Sequence, residues 1–275
     1  MRISKIITAA LVAVSGVLAT PSFAQDSRLE RLETLDAGRK WDAVGRLDLN
    51  GQGLCTGALI APDLVLTAAH CLFDPDTSVQ FDPTTIEFLA GWRNGRASAY
   101  RSVQRATVHP SYVYNGEVSS GHVRNDIALL QLQRPIRNTT VIPFETDARP
   151  RKGDKIGVVS YAHDRAEVPS LQEVCGIMAR QRGVLVMSCD VDFGSSGAPV
   201  FSFETDTPRI VSVISAKAEV KGERVSLGAS LAEDLDLLRA NLTARNGSTF
   251  QAPVGARRVR VGDGPGETGA KFVKP

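Results

Sequence analysis

This sequence has almost no excess of either charge. Among 275 residues, 32 Lys and Arg stand against 30 Asp and Glu. That balance lacks the basic surplus that binds nucleic acid, so no nucleic-acid partner is expected. A long apolar run is missing too. Residues 6–19, IITAALVAVSGVLA, stop at 14, whereas a membrane span needs about 20. Cysteine is scarce, with four residues and no CxxC pair, which argues against a zinc ribbon. Glu/His zinc spacing is absent, no repeat of fixed period is present, and neither a metal nor a cofactor is expected.

The apolar run has its own meaning. It follows a short basic head, Arg2 and Lys5, and leads into Pro21-Ser22-Phe23-Ala24. This is the layout of a secretory signal peptide over residues 1–24, cut after Ala24; the alternative is an uncleaved anchor. With that segment gone, 30 basic residues face 30 acidic ones. The expected destination is the periplasm or the medium, with no stable membrane insertion after cleavage. The expected assembly state is a monomer.

An exported chain meets an oxidising compartment, where disulfides are the default. Cys55, Cys71, Cys175 and Cys189 allow three pairings. GLCTGALI and LVLTAAHC read as two strands around the turn at residues 61–63. Cys175 and Cys189 lie symmetrically about Arg182, and a hairpin turning at Gln181-Arg182-Gly183 sets them opposite each other. The pairings expected are therefore Cys55–Cys71 and Cys175–Cys189.

From Trp41 onward, short apolar runs alternate with Gly, Pro, Asp and Asn. TGALIA, TIEFLAG, IALLQL, KIGVVSY, VLVMS, APVFSF and RIVSVISA read as strands of a sandwich or barrel. One late helix is expected over 230–245. Ser230 and Glu233 fit a capping box, and Leu231, Leu235, Leu238 and Leu242 share a face. Residues 25–40 are charged, with Leu29, Leu32 and Leu35 three apart, and read as a pro-segment or a lead-in helix. The tail, 246–275, is Gly-rich and basic and reads as a solvated end; the sharper reading docks RRVRV as a strand.

Three distant segments carry the chemistry. LVLTAAHC ends on His70 beside Cys71, RNDIALLQL sets Asp126 before an apolar strand, and DFGSSGAPVF holds Ser196 in a glycine turn. A serine hydroxyl is a weak nucleophile and needs a base. Imidazole accepts and returns a proton near neutral pH. A buried carboxylate fixes its tautomer and stabilises the imidazolium. A tetrahedral oxyanion needs backbone N–H donors, and here the amides of Gly194 and Ser196 can supply them.

TAAHC, NDIALL and GSSGAPV, with VHPSY at 108–112, resemble the signature segments of the trypsin/chymotrypsin-like serine proteases. The likeness runs from residue 41 to about 245 and is that of a bacterial exported member. It implies an all-β fold of two six-stranded antiparallel β-barrels with a C-terminal helix. Barrel one would span about 41–145 and barrel two about 150–230. It implies a serine endopeptidase acting on protein or peptide through an acyl-enzyme. His70 is then the base, Asp126 orients it and Ser196 attacks. Cys55–Cys71 is similar to that family's disulfide beside the histidine. It would close a loop of about 15 residues, worth roughly 3 kcal/mol in the chain-entropy model.

Departures from the family pattern matter equally. Ser195 is the rival nucleophile, but the family assigns the role to the serine followed by glycine. Trypsin has an aspartate where Ser195 stands, paired with a freshly cut amino terminus. That serine, and the lack of an Ile-Val-Gly-Gly-type segment, predict no activation by terminus insertion, although Arg39-Lys40 remains a possible processing site. Asp190, six residues before Ser196, resembles in position the specificity carboxylate of trypsin, which implies a preference for Arg or Lys; Lys217 would oppose that, and the bland reading has Asp190 ending a strand. Ser215 resembles the serine that supports the aspartate from behind. His109 reads as a surface turn and His122 as a solvated loop residue; for His163 the bland reading is a residue outside the site, and the sharper one a neighbour of the cleft from the second barrel. Two other readings stand beside the enzyme: a weak or inactive binding protein on the same scaffold, and a stress-type chaperone-protease, disfavoured because 30 residues after 245 leave no room for a peptide-binding module.

Overall fold

The computed structural model describes residues 29–115, 119–147, 150–220, 222–231 and 234–244. The expected signal peptide and the basic tail lie outside these residues.

Two barrels form in succession. The first contains β2 (Val44–Leu49), β3 (Leu54–Ala61), β4 (Leu64–Thr67), β5 (Ile86–Ala90), β6 (Ala99–Val108) and β7 (Ala128–Leu132), closed in the order β2-β3-β4-β7-β6-β5. The second contains β8 (Lys155–Ser160), β9 (Ser170–Gln181), β10 (Val184–Met187), β11 (Pro199–Ser202), β12 (Arg209–Val220) and β13 (Glu223–Ser230). It runs β8-β9-β10-β13-β12-β11, and the pairing of β8 with β9 closes the ring. A two-residue strand, β1 (Glu30–Arg31), adds to the outside of β9. The all-β, two-barrel expectation holds. Closure leaves few exposed edges, so nearly every strand satisfies its backbone groups on both sides.

The hairpin of β9 and β10 explains one disulfide. Arg182 and Gly183 both have positive φ, 51° and 83°, as a two-residue hairpin turn requires. Val184 pairs with Gln181 next to the turn, and a bulge at Met187 then shifts the register so that Met187 faces Ile177. The shifted register carries Cys189 to Cys175, which are bonded, with Cα atoms 5.1 Å apart. Cys55 and Cys71 are bonded as well.

One apolar cluster runs through both barrels, and a second, around Ile156, Leu185 and Val200, lies inside barrel two. Trp41 packs against Phe201 of β11 with ring centroids 4.9 Å apart, and Phe144 of the connection between barrels lies 4.7 Å from Phe201. Such aromatic contacts add to simple area burial. This locks the start of barrel one onto barrel two.

Three local expectations need correction. Residues 29–35 form no helical face: Glu30–Arg31 is a strand, Leu32 is buried against it, and Leu35 is 71% exposed at the start of the short helix α1 (Leu35–Gly38). Thr34 caps that helix by accepting from the Ala37 amide. The late helix, α3, runs Asp234–Thr243, so Ser230 is the last residue of β13 and not a cap; Glu233 lies outside the described residues. Leu235, Leu238 and Leu242 are its buried face, as read from the spacing. His109 is 7% exposed, and its Nε2 lies 3.4 Å from Asp234 of α3. It ties the helix to barrel one. No helix among the described residues is long and apolar enough to cross a membrane.

Candidate active site

β4 ends at Thr67, and the chain turns through a short 3-10 segment, Ala69–Leu72, that carries His70. Small residues allow the turn: Ala68 and Ala69 are fully buried where a larger side chain would not fit. The Cys55–Cys71 bridge ties this turn to β3. The cysteine beside the histidine is thus half of a covalent staple.

Asp126 reaches the same place from the other direction. The helix α2 (Ser120–Asn125) ends at Asp126, and β7 follows. The side chain is buried at 3% residue exposure and accepts three hydrogen bonds. The His70 backbone N–H donates to Oδ1 at 2.8 Å, the His70 ring Nδ1 to Oδ2 at 2.7 Å, and the Ser215 hydroxyl to Oδ2 at 2.5 Å. Ser215 comes from barrel two, at a register shift between Ile214 and Ala216. The extra residue of such a bulge is re-aimed out of the ladder, here across to barrel one. A ring that donates from Nδ1 leaves Nε2 as the acceptor. Burial alone would push the His70 imidazole down; the charge of Asp126 and its direct hydrogen bond outweigh burial and raise its pKa above the ordinary value.

Ser196 sits in a turn that is fastened to barrel one. Its carbonyl accepts from the Thr56 amide at 2.8 Å, and the Gly197 amide donates to Ile214 at 2.8 Å. Gly197 has φ +77°, and a Cβ there would lie 2.1 Å from Thr67 Oγ1 and 2.3 Å from the Thr56 carbonyl. Glycine is needed for both reasons. The turn therefore presses against Thr67, three residues before His70. Ser196 is half-buried, whereas Ser195 is 0% exposed, with its hydroxyl turned to Ser160 at 3.2 Å and to Arg165 at 3.4 Å.

The peptide between Phe193 and Gly194 has a defined orientation. The Phe193 carbonyl accepts from the His163 amide at 2.7 Å. In a trans peptide the N–H points opposite to the C=O, so the Gly194 N–H faces away from His163. Gly194 has φ +93° and packs with its Cα side against the Ala162 backbone, where a Cβ would be 2.9 Å from Ala162 Cα. Neither the Gly194 nor the Ser196 amide donates to another group among the described residues. His163 is thus a neighbour of this turn through its backbone, its side chain being exposed.

The remaining candidates divide. Asp190 is exposed, and its amide donates to the Gln172 side chain at 2.7 Å. Lys217 reaches Asp192, not Asp190, at 2.8 Å, and lies 4.0 Å above the Phe193 ring. The Lys217 ammonium and the Phe193 amide hold the Asp192 carboxyl below its usual range. His122 is part of α2, not of a loop, and is half-buried. Cys55, His70 and Cys71 place donor atoms within 4.8 Å of one another. Both sulfurs are bonded to each other, so neither offers the thiolate that metal binding needs.

Thr56 belongs to no sequence motif, yet it is central here. Its amide holds Ser196, its hydroxyl donates to the Gly194 carbonyl at 2.9 Å, and the same hydroxyl accepts from the Tyr161 amide at 3.1 Å. Its position next to Cys55 was the only available signal.

The family model for Trypsin matches residues 36–224. The chain belongs to the trypsin family. Among curated proteins, this trypsin-family chain is 27% identical over 150 residues to the glutamyl endopeptidase of Bacillus licheniformis, covering 54% of this chain and 45% of that one. It is 30% identical over 125 residues to human mannan-binding lectin serine protease 1, covering 41% of this chain and 17% of that one. The chain thus spans less than half the length of these two relatives. Two solved structures share the fold. A Glu endopeptidase in complex with MPD matches with a TM-score of 0.63 and 17% identity, over 81% of this chain and 99% of that one. Human heparin binding protein matches with a TM-score of 0.62 and 17% identity, over 82% and 99%.

Proposed function

We propose that this trypsin-family chain is an exported serine endopeptidase that works through an acyl-enzyme and needs no cofactor. The observation that carries the reading is the three-bonded Asp126 carboxylate, which sets His70 with Nδ1 donating and Nε2 accepting. Ser196 is the half-buried hydroxyl on a turn fastened to Thr56 of barrel one. In this reading His70 Nε2 takes the proton of Ser196 Oγ as the oxygen adds to the scissile carbonyl. Asp126 stabilises the imidazolium so formed. The Gly194 and Ser196 amides hold the oxyanion. His70 then returns its proton to the leaving amine, and water repeats the sequence to free the acid.

Residues 1–24 serve as the export signal, and 41–245 as the peptidase domain, with 25–40 as a lead-in or a removed pro-segment. Two disulfides suit an oxidising compartment. Asp190 is the proposed selector of a basic side chain in the substrate. Lys217 does not neutralise it, because its ammonium is engaged by Asp192. Digestion of a peptide library, read by mass spectrometry, tests this. Cleavage after acidic residues, as the name of the Bacillus relative suggests for that protein, would remove Asp190 from the role.

The alternative is a binding protein on the same scaffold. Covalent labelling by a fluorophosphonate separates the two. The enzyme reading expects labelling that is lost in Ser196→Ala and kept in Ser195→Ala. Absence of labelling in the native chain, folded and disulfide-bonded, would favour the binding protein.

A further inference from the structure

Arg165 is a buried cation with no part in the chemistry above. It is 7% exposed and ends a short 3-10 turn, His163–Arg165, that follows β8. Its Nη2 lies 3.4 Å from Ser160 Oγ and 3.4 Å from Ser195 Oγ. Among the described residues the one carboxylate within ion-pair distance, on Asp164, is 3.7 Å from Nη1 and is itself exposed. Nε has no partner among the described residues. Burial pushes the guanidinium down, opposed by the charges of Asp164, Asp190 and Asp192. A buried ion so thinly compensated is unfavourable, and an underpaired buried group calls for an explanation.

The explanation lies in what the Arg165 turn grips. Ser195 closes the turn that precedes Ser196: its amide donates to the Asp192 carbonyl at 2.9 Å, and its hydroxyl accepts from the Asp192 amide at 3.4 Å. The 3-10 turn holds this loop at two points. The His163 amide takes the Phe193 carbonyl at 2.7 Å, and the guanidinium takes the Ser195 hydroxyl. The first contact turns the Gly194 N–H the other way; the second keeps Ser195, between the two amides of interest, on the inner side. A guanidinium offers several donors in a rigid plane and so can hold Ser160 and Ser195 at once.

We propose that Arg165 is a positioning residue for the oxyanion pocket: buried behind residues 192–196, it keeps the Gly194 and Ser196 amides aimed into the cleft. The pocket is then assembled by an internal cation and needs no newly cut amino terminus. Trp41, next to the candidate processing site Arg39-Lys40, has its ring packed against Phe201 at 4.9 Å in the uncut chain. This inference rests on the serine-peptidase reading.

The test compares the full chain with Arg165→Met, Arg165→Ala and Ser195→Ala, using an ester substrate and fluorophosphonate labelling. Losing an oxyanion donor costs about 10²-fold or more in kcat. Arg165→Met is therefore expected to lower kcat about 10²-fold, with KM and the acid limb of the pH profile unmoved. Added ethylguanidinium is expected to recover part of the loss in Arg165→Ala. Ser195→Ala, which keeps the cation but removes its acceptor, is expected to label several-fold more slowly. A kcat for Arg165→Met near the native value overturns the proposal. So does a loss shared between kcat and KM that ethylguanidinium does not relieve. If the Arg165 variants do not fold, native-rate labelling of Ser195→Ala overturns it instead. A native chain that labels only after cleavage exposes a free terminus also overturns it. A native chain that never labels contradicts the peptidase reading itself.

Discussion

Replacing Asp126 by Asn keeps the shape of the site and removes its charge. The carboxylate accepts from the His70 backbone at 2.8 Å and the His70 ring at 2.7 Å. An amide has one acceptor oxygen, so it cannot serve all three donors now held. Presenting its NH₂ to Nδ1 would force the proton onto Nε2, the atom needed as base. The charge effect can be sized. With charge centres about 4 Å apart and an effective dielectric of about 20, the imidazolium loses about 4 kcal/mol of stabilisation. That corresponds to about 10³-fold in kcat, before any tautomer effect. The acid limb of the residual activity is expected to move as well. Asp126 raises the His70 pKa against a burial effect that lowers it; without the carboxylate only burial remains, so the limb shifts to lower pH. The same pair links folding to pH in the native chain. Its stabilisation is full below the unfolded imidazole pKa of about 6.5 and is lost as pH rises through the higher folded value. The assay is kcat against pH on an ester substrate, normalised by active-site titration. A kcat within tenfold of native, or an acid limb that stays or moves up, would mean that the Asp126 charge does not stabilise the imidazolium.

Other perturbations separate position from stability. Gly197→Ala sets a Cβ within 2.3 Å of the Thr56 carbonyl at φ +77°, so the Ser196 turn must shift; kcat is expected to fall by at least 10²-fold, comparable to a misplaced nucleophile, with KM less affected. Replacing Cys175 and Cys189 together by Ser is expected to lower stability by roughly 3 kcal/mol, read by urea unfolding, with kcat nearly intact. The same change at Cys55 and Cys71 is expected to cost a similar amount of stability and to lower kcat too, because this bridge ties down the His70 turn. Equal kcat in the two double variants would mean the bridge does not hold the histidine.

The apolar strands were legible because each carries a continuous buried run: Ala128–Leu132 and Lys155–Ser160 bury nearly every residue. β6 was not, since its Tyr100, Gln104 and Arg105 are exposed and leave no run to read. The late helix was found by its leucines, yet its start was misread. Ser230 fits a capping pattern in sequence, but its place in β13 is set by pairing with Ser212, a long-range contact. His109 read as surface because a His-Pro pair marks a turn, and nothing nearby announces Asp234 as its partner. The three site segments were legible as motifs. The Thr56 network and the Arg165 contact with Ser195 were not, because they join residues far apart in the chain and involve types common on any surface.

The central claim is that His70, Asp126 and Ser196 work in one cleft, with the Gly194 and Ser196 amides beside them. A crystal structure of the chain after reaction with a fluorophosphonate tests it most directly. The account predicts phosphorus bonded to Ser196 Oγ, its phosphoryl oxygen accepting from both amides, and His70 Nε2 within hydrogen-bonding distance of the adduct. Phosphorus on Ser195 or elsewhere, or an adduct on Ser196 with the His70 ring turned out of reach, would contradict it.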